Sequence, residues 1–538
     1  MAARTLVAVS CVALQSSAAQ APIPIRQVGP AEAVSKESVG SLNGVRELST
    51  GEVLINDAGN RRVVLLDAML ASPRVVADSS VKTRNLYGKR PTLIVPYVGD
   101  TTLLLDVGAR AFLVMAPGGA VTRVMSPPRP SDLAFMVGNG SGNPGFDAAG
   151  NLLYRATIMP ALEAPVAGRA YHAPVMPDSA PILRGYFTTR SADTVAWLRI
   201  PKMRITVTPI AGGGVALSPV VNPLANIDDW TTLPDGTIAV LRGQDYHLEW
   251  FNNDGTHSSS PKMPFDWKRI TDEEKAAIVD SAKRAIVEAA QLSAKTATGG
   301  HGVPAGGHGM TIIPINGNDG SPAPQATMGT NAAIPALAEI APAGDLPDYM
   351  PPVLRSGLMK ADAEGNVWIL PSTSAQAGGG LLYDVVNRKG ELFQRVRLPA
   401  GRALEGFGAN GAIYLTSHEG NVAFLERSHM QPKSDSMIVR LVGNWEGSVY
   451  SDHAPESALK LTFARGAALK VTVSIVSNGQ EFVTSEATEL KVDGNSVSWS
   501  VGLMQQACKG TGVLIADVLK GDFTCGEMGG ITYLAKKK

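Results

Sequence analysis

The chain has 538 residues, enough for two or three domains or for one large all-β domain with an appendage. Charged residues make up only 18%, while 56 glycines and 36 prolines make turns abundant and helices few. The 48 basic residues balance the 48 acidic ones, leaving no field to hold a phosphate backbone, and 6% aromatics argue against a surface of stacked rings, so nucleic acid is excluded as a partner.

Arg4, the apolar run Leu6 to Leu14 and the small residues Ser17-Ala18-Ala19 predict a signal peptide over 1–21, with a mature start near Gln20 and export to the periplasm or the extracellular space. The apolar run is about nine residues, too short for a bilayer core that needs about 20. Cys11, in Ala8-Val9-Ser10-Cys11, leaves lipoprotein processing as an alternative. No later stretch predicts a transmembrane segment. Ile23 to Val28 reads as a strand that would close a circular sheet arrangement by pairing with its last unit.

From Leu48 to Asp67 a glycine turn, an apolar strand, an Asp-x-Gly-x-Arg turn and a second apolar strand follow one another. The unit recurs 49 residues on, where Asp106, Gly108 and Arg110 stand as Asp57, Gly59 and Arg61 do. A third unit starts at Asp147, with outer strands expected at Thr194 to Ile200 and Met203 to Thr208. The fourth starts at Leu233, the fifth at Asp362 and the sixth at Gly408. Units too small to bury their own faces, repeated in this way, predict an all-β fold in which six blades pack radially, a β-propeller over 22–432.

The long gap before the fifth unit predicts an insertion over 266–350. Thr271-Asp272-Glu273-Glu274 is a capping box, and Ile278, Ala282, Ala285, Ala289 and Leu292 fall on one face of the helix it opens. From Thr296 to about Asp345 the sequence is rich in Gly, Ala and Pro and reads as a flexible loop. The stretch Val53 to Asp67, with its strand, Asp-x-Gly-Asn turn, basic pair and second strand, resembles one NHL-type blade. The resemblance implies an exported bacterial six-bladed propeller in which Asp57, Asn60 and Asp106 organise turns.

Beyond Gln431-Pro432-Lys433 the pattern becomes one of alternating strands, predicting a small antiparallel β-barrel over 436–538. Its opening, Gly443-Asn444-Trp445-Glu446-Gly447, resembles that of lipocalin-like barrels, and the resemblance implies that Trp445 plugs one end. With Cys11 removed, Cys508 and Cys525 are the only cysteines, and an exported domain of this size predicts a disulfide between them.

Candidate chemistry falls in three places. Asp229, Arg242, Asp245 and His247, with Asp228 and Trp230, bring carboxylates, a guanidinium and an imidazole to one blade, a set able to bind a metal or move protons. The same residues also serve as hydrogen-bonded blade scaffolding. Asn56, Asp57, Asp106 and Asp229 offer oxygen ligands for Ca²⁺, although such residues more commonly serve as blade-turn chemistry. His301 and His308 stand seven apart in the Gly-rich loop and would chelate a divalent ion only after an ordering cost. Hydrolase elbow, zinc-protease, P-loop and dinucleotide signatures are absent.

Two functions of different class follow. One is a non-catalytic binding or scaffold protein whose partner is a protein, a glycan or a small-molecule ligand. The other is a Ca²⁺-dependent hydrolase resembling gluconolactonase-type six-bladed lactonases, which place a first-blade Glu at the axis. Glu47 is the early Glu here, but its Arg-Glu-Leu-Ser context departs from that family's Glu-Gly-Pro. Fold alone does not separate the two, because propellers host both binding and catalysis.

Overall fold

The computed structural model describes residues 23–80, 86–88, 92–107, 109–136, 142–158, 160, 169–209, 215–298, 311–313, 338–420, 422–431, 433–450, 457–466, 468–477, 480–493, 496–503, 505–515, 518–526 and 528–536. The stretch 1–21 expected to be a signal peptide, with Cys11, and the His301 to His308 stretch lie outside them.

Six antiparallel sheets form the blades. Blade one is Leu42–Glu47, Val53–Asp57, Arg62–Leu66 and Arg74–Ala77, and blade two is Ile94–Pro96, Thr102–Asp106, Ala111–Met115 and Val121–Met125. Blade three comprises Gly145–Phe146, Leu152–Arg155, Ser179–Tyr186 and Ser191–Arg199; blade four, Asp229–Thr232, Ile238–Arg242, His247–Phe251 and His257–Ser259. Blade five runs Lys360–Ala361, Val367–Ile369, Leu382–Val386 and Leu392–Arg397, and blade six Arg402–Phe407, Ile413–Glu419 and Val422–Ser428.

The continuous apolar runs of the second and third strands follow from burial on both faces, since successive side chains of a strand point opposite ways. Val53 and Ile55 pack against Tyr414 and Leu425 of blade six, whereas Leu54 between them packs against Leu104 and Leu113 of blade two. Leu103 and Leu105 meet Leu152 and Tyr154 of blade three. One cluster then joins blades three, four and five through Leu198, Trp230, Leu248 and Val367, and another joins five to six through Val385 and Leu404. The circle is closed: this is a six-bladed β-propeller.

Each blade turns from its innermost to its second strand through a glycine with left-handed φ, namely Gly51, Gly99, Gly150, Gly236, Gly365 and Gly411. The conformation excludes other residues at low cost, which is why the glycine punctuation was visible in the sequence. The next turn ends in a left-handed residue at Arg61, Arg110, Arg190 and Tyr246 in blades one to four.

Closure differs from the expected pairing of 23–28 with the last blade. Ile25–Gln27 adds parallel to Leu392–Arg397 on blade five, and it is Ala33–Val34 that supplies the outer strand of blade six by pairing with Arg427 and Glu426. The chain thus covers two neighbouring outer edges before entering blade one. Arg204–Pro209, expected within blade three, belongs instead to a satellite sheet with Val215–Val221, Thr311–Ile313 and Glu339–Ile340.

Beside that sheet lies helix α1, Asp272–Thr298. Its capping box is reciprocal: the Thr271 N–H donates to Glu274 at 2.9 Å and the Glu274 N–H donates to Thr271 Oγ1 at 3.2 Å. The helix turns Lys275, Ile278, Val279, Ala282 and Ile286 inward, so its covered face is rotated from the one expected, and Ala285 is exposed. The side chains of Ala289 and Leu292 lie outside the described residues. No described helix is long and apolar enough to cross a membrane.

Gly443–Tyr450, Ser457–Arg465, Leu469–Ser477, Gln480–Glu486, Glu489–Asp493, Ser496–Leu503, Gln506–Ile515, Val518–Cys525 and Met528–Lys536 form one antiparallel meander whose first strand pairs with its last. Gln480–Glu486 pairs backward and Glu489–Asp493 forward, so the single bent stretch between them completes the curl into a barrel. Trp445, Phe463, Trp499 and Phe523 fill the interior, and helix α2, Lys433–Leu441, adds Met437 and Leu441 to the same core. Trp445 donates its indole N–H to Leu441 O at 2.7 Å. Cys508 and Cys525 are register partners on adjacent strands and form a disulfide inside this core.

Candidate functional site

The blade-four cluster is brought together, and nearly every polar group in it is matched. Asp228 accepts from the Arg199 N–H at 2.9 Å, the Gly243 N–H at 3.1 Å and Arg242 Nη1 at 2.8 Å. Arg242 also donates to Glu249 at 2.5 Å and to Trp197 O at 2.7 Å. His247 meets Asp245 through Nδ1 at 2.5 Å and Glu249 through Nε2 at 3.4 Å, and His257 Nε2 stands 3.5 Å from Glu249. The network ties the outer strand of blade three to blade four, which is the scaffold role open to these residues from the start.

Asp229 is separate from that network. It is 1% exposed, and its carboxylate accepts the N–H groups of Trp230 at 2.9 Å, Gly357 at 2.7 Å, Leu358 at 3.0 Å and Met359 at 2.8 Å. The Ser356 hydroxyl donates to Asp228 O at 3.1 Å, so the Asp228-Asp229 pair fastens the segment entering blade five. Burial pushes the Asp229 carboxyl up to about 6, against the pull of its four backbone donors.

The proposed oxygen ligands do not converge. Asn56 and Asp57 sit at the end of a blade-one strand, Asp106 in blade two and Asp229 in blade four. Asn56 donates to Thr92 O at 2.8 Å and accepts from the Tyr87 hydroxyl at 2.8 Å. Asp57 accepts from the Gly40 N–H at 2.9 Å, Asn60 Nδ2 at 2.8 Å and Arg62 at 3.0 Å, and Asp106 from the Ala109 N–H at 3.1 Å. Glu47 accepts the Tyr414 hydroxyl at 2.6 Å, clasping blade six to blade one. Among the described residues no three His, Cys, Asp or Glu side chains are placed to hold a metal ion.

A second group of charges, of which the sequence singled out Asp229 alone, surrounds the propeller axis. Innermost strands of successive blades neighbour one another around the ring. Asp229 and Lys360 are the first residues of two adjacent innermost strands, and Arg155 ends the antiparallel strand behind a third, so all three lie toward the same end of the ring. Burial lowers the pKa of the Arg155 guanidinium, with Asp229 pulling the other way. Its Nε is buried and has no hydrogen-bond partner among the described residues. Burial also pulls the Lys360 ammonium down, against the fields of Glu405 and Asp229. Among the described residues its one hydrogen bond is to the main-chain oxygen of Glu405 at 3.2 Å.

Glu405 occupies a β-bulge: Leu404 pairs with Leu415 and Gly406 with Tyr414, leaving Glu405 as the extra residue. Bulges re-aim side chains and gather next to functional sites. Its carboxyl accepts from the Thr416 hydroxyl at 2.8 Å and is pushed up by burial, which Thr416, Lys360 and His418 oppose. Two desolvated cations beside one caged and one half-buried carboxylate suit an anion better than a divalent cation. Ca²⁺ asks for several oxygen ligands with lone pairs to spare, and the Asp229 lone pairs are already engaged by N–H donors. The donor set on this axis therefore does not fit Ca²⁺.

No family model and no curated protein matches the sequence. Among solved structures the chain is similar to a gluconolactonase from Xanthomonas campestris at 10% identity and TM-score 0.32, covering 74% of this chain and 98% of that one. It is also similar to regucalcin, a calcium-binding protein of Agrobacterium tumefaciens, at 11% identity and TM-score 0.31, covering 75% and 96%. A third likeness is to a virginiamycin B lyase from Staphylococcus aureus, crystallised as an inactive variant with quinupristin, at 7% identity and TM-score 0.30, covering 74% and 97%. Likenesses of this degree carry no inference about the chemistry of the axis.

Proposed function

We propose that this is an exported, non-catalytic binding protein whose propeller takes a small organic anion, a carboxylate foremost, at the axial end marked by Arg155, Asp229 and Lys360. The observation that carries the reading is the gathering of two cations at one end of the ring: Lys360, held by a main-chain oxygen, and Arg155, whose buried Nε, like those of Arg26, Arg61, Arg184 and Arg427, has no hydrogen-bond partner among the described residues. A buried polar group without a partner costs about 1–3 kcal/mol, and such groups in native folds mark a missing ligand, ion or water. Lys360, desolvated and with a single main-chain acceptor, supplies the second cation.

On this reading the NHL-like propeller is the binding domain. The lipocalin-like barrel, filled by its own side chains, is a scaffold rather than a second ligand cavity. The leader over 1–21 places both in the periplasm or outside the cell. N-terminal sequencing of protein recovered from that compartment is expected to begin near Gln20; a start at Met1 would contradict it.

The test is a thermal melt with acetate or lactate against chloride at equal ionic strength. A ligand that binds only the native state raises its melting temperature. The carboxylates are expected to raise the melt of the wild type and not that of Arg155→Met or Lys360→Met; an equal response in all three would overturn the reading. EDTA is expected to leave the melt in place, whereas a fall restored by Ca²⁺ would favour the hydrolase reading instead.

A further inference from the structure

Between blades five and six lies a groove of about 450 Å³, lined by Leu381 and Ala403, by glycines that include Gly378 and Gly401, and by Ser374, Arg402 and His418. Its size falls within the range of small-molecule sites, about 300–1,000 Å³. A Cβ built at Gly378 or Gly401 would meet nothing within 4 Å, so these glycines leave the groove open rather than pack against a wall. The Arg402 charge is already matched: its guanidinium donates to both oxygens of the Glu426 carboxylate, at 3.1 Å and 3.0 Å. What the groove offers a ligand is slim apolar surface with no unmatched permanent charge.

The groove adjoins the axial group through named residues. Ala403 lines it and is the register partner of Thr416, whose hydroxyl holds the Glu405 carboxyl at 2.8 Å. His418 stands two residues beyond Thr416 on the same strand, hence on the same face, and its field reaches Glu405. Glu405 in turn carries the main-chain oxygen that holds the Lys360 ammonium. From the cations to the groove there is an unbroken run: Lys360, Glu405, Thr416, then Ala403 and His418.

We infer that the axial anion site continues into this groove, so that its ligand is an elongated organic anion: a carboxylate head at Arg155 and Lys360 and a slender uncharged tail lying between blades five and six along Leu381 and Ala403. The inference rests on the anion-binding reading above and adds the chemical class of the ligand. An inorganic anion would satisfy the cations and leave the groove unused. A doubly charged tail would find no unmatched charge there, because Arg402 is committed to Glu426.

The test is isothermal titration of the full-length mature protein with the linear carboxylates acetate, butyrate, hexanoate and octanoate. In the wild type, affinity is expected to rise about threefold to fourfold for each methylene that enters the groove, the value for burying one CH₂, until the groove is full. Ala403→Phe fills the groove from an ordinary strand position and is expected to flatten the series. Ala403→Val shortens the series instead, and serves if the larger side chain prevents folding. A wild type that binds acetate and octanoate equally would overturn the inference and leave the axial reading standing. So would an Ala403→Phe protein that keeps the full chain-length gain. A wild type that binds no member of the series would overturn the axial reading itself.

Discussion

Blade four and the propeller axis use the same residue types and end in opposite states. In the outer cluster, Asp228, Arg242 and Glu249 are joined by bonds of 2.5–2.8 Å, and His247 is held between two carboxylates. At the axis, Arg155 has a buried Nε with no partner, and Lys360 has one main-chain acceptor. A completed network uses up its hydrogen-bonding capacity in holding the fold, whereas an incomplete one at a desolvated position keeps capacity for a ligand. What separates scaffold from site here is the pairing of the residues and not their identity.

The contrast breaks or sharpens under substitution. Asp228→Ala leaves the Arg199 and Gly243 N–H groups without their acceptor and takes one of two carboxylates from Arg242, and is expected to cost about 2–4 kcal/mol in urea unfolding. A loss below about 1 kcal/mol would mean that the blade-four network is not scaffold. The Asp229 carboxyl comes next. Its folded pKa, about 6, lies above the ordinary unfolded Asp value of about 3.9, so its contribution to stability is fully present below about pH 4 and is lost as pH rises through about 6. Unfolding measured from pH 4 to 7 is expected to show a decline of about 2–3 kcal/mol that Asp229→Asn flattens; an equal decline in the variant would assign it elsewhere.

Arg155→Met removes a cation whose buried Nε has no hydrogen bond to lose among the described residues, and is expected to leave stability unchanged or raise it by about 1 kcal/mol while abolishing the carboxylate-dependent melt shift. A large loss of stability would show that Arg155 is structural after all. The smallest effect belongs to His247→Asn, expected to cost under about 1 kcal/mol because its partners are partly exposed, with carboxylate binding unchanged. Weakened binding in that variant would move the site to blade four.

The blades were legible because their causes are local. Left-handed glycines such as Gly150 and Gly236, and the two-sided apolar runs at Val53 to Ile55 and Leu103 to Leu105, are written in adjacent residues. The barrel and its Cys508 to Cys525 bridge were legible for the same reason. The closing strand was displaced because Ala33–Val34 is too short to show a period, and Arg204–Pro209 was misplaced because an outer blade strand and a satellite strand carry the same alternating pattern.

The axial group was not legible. Arg155, Lys360 and Glu405 are 250 residues apart end to end and belong to three blades, and the bulge that places Glu405 exists only in the pairing of Leu404 and Gly406. One signal was present: Lys360 opens the fifth unit with a cation where a propeller strand begins. The blade-four residues drew attention because they are neighbours in sequence, and that closeness is what allows them to neutralise one another.

The most direct test is anomalous diffraction from crystals of the mature protein grown with 4-bromobenzoate, an unreactive aryl bromide that labels a carboxylate with a heavy scatterer. The account predicts a bromine peak at the axial end of the ring, with the carboxylate against Arg155 and Lys360 and the bromine directed toward Ala403. A peak confined to the blade-four surface, or none at the axis in a saturated crystal, would contradict it.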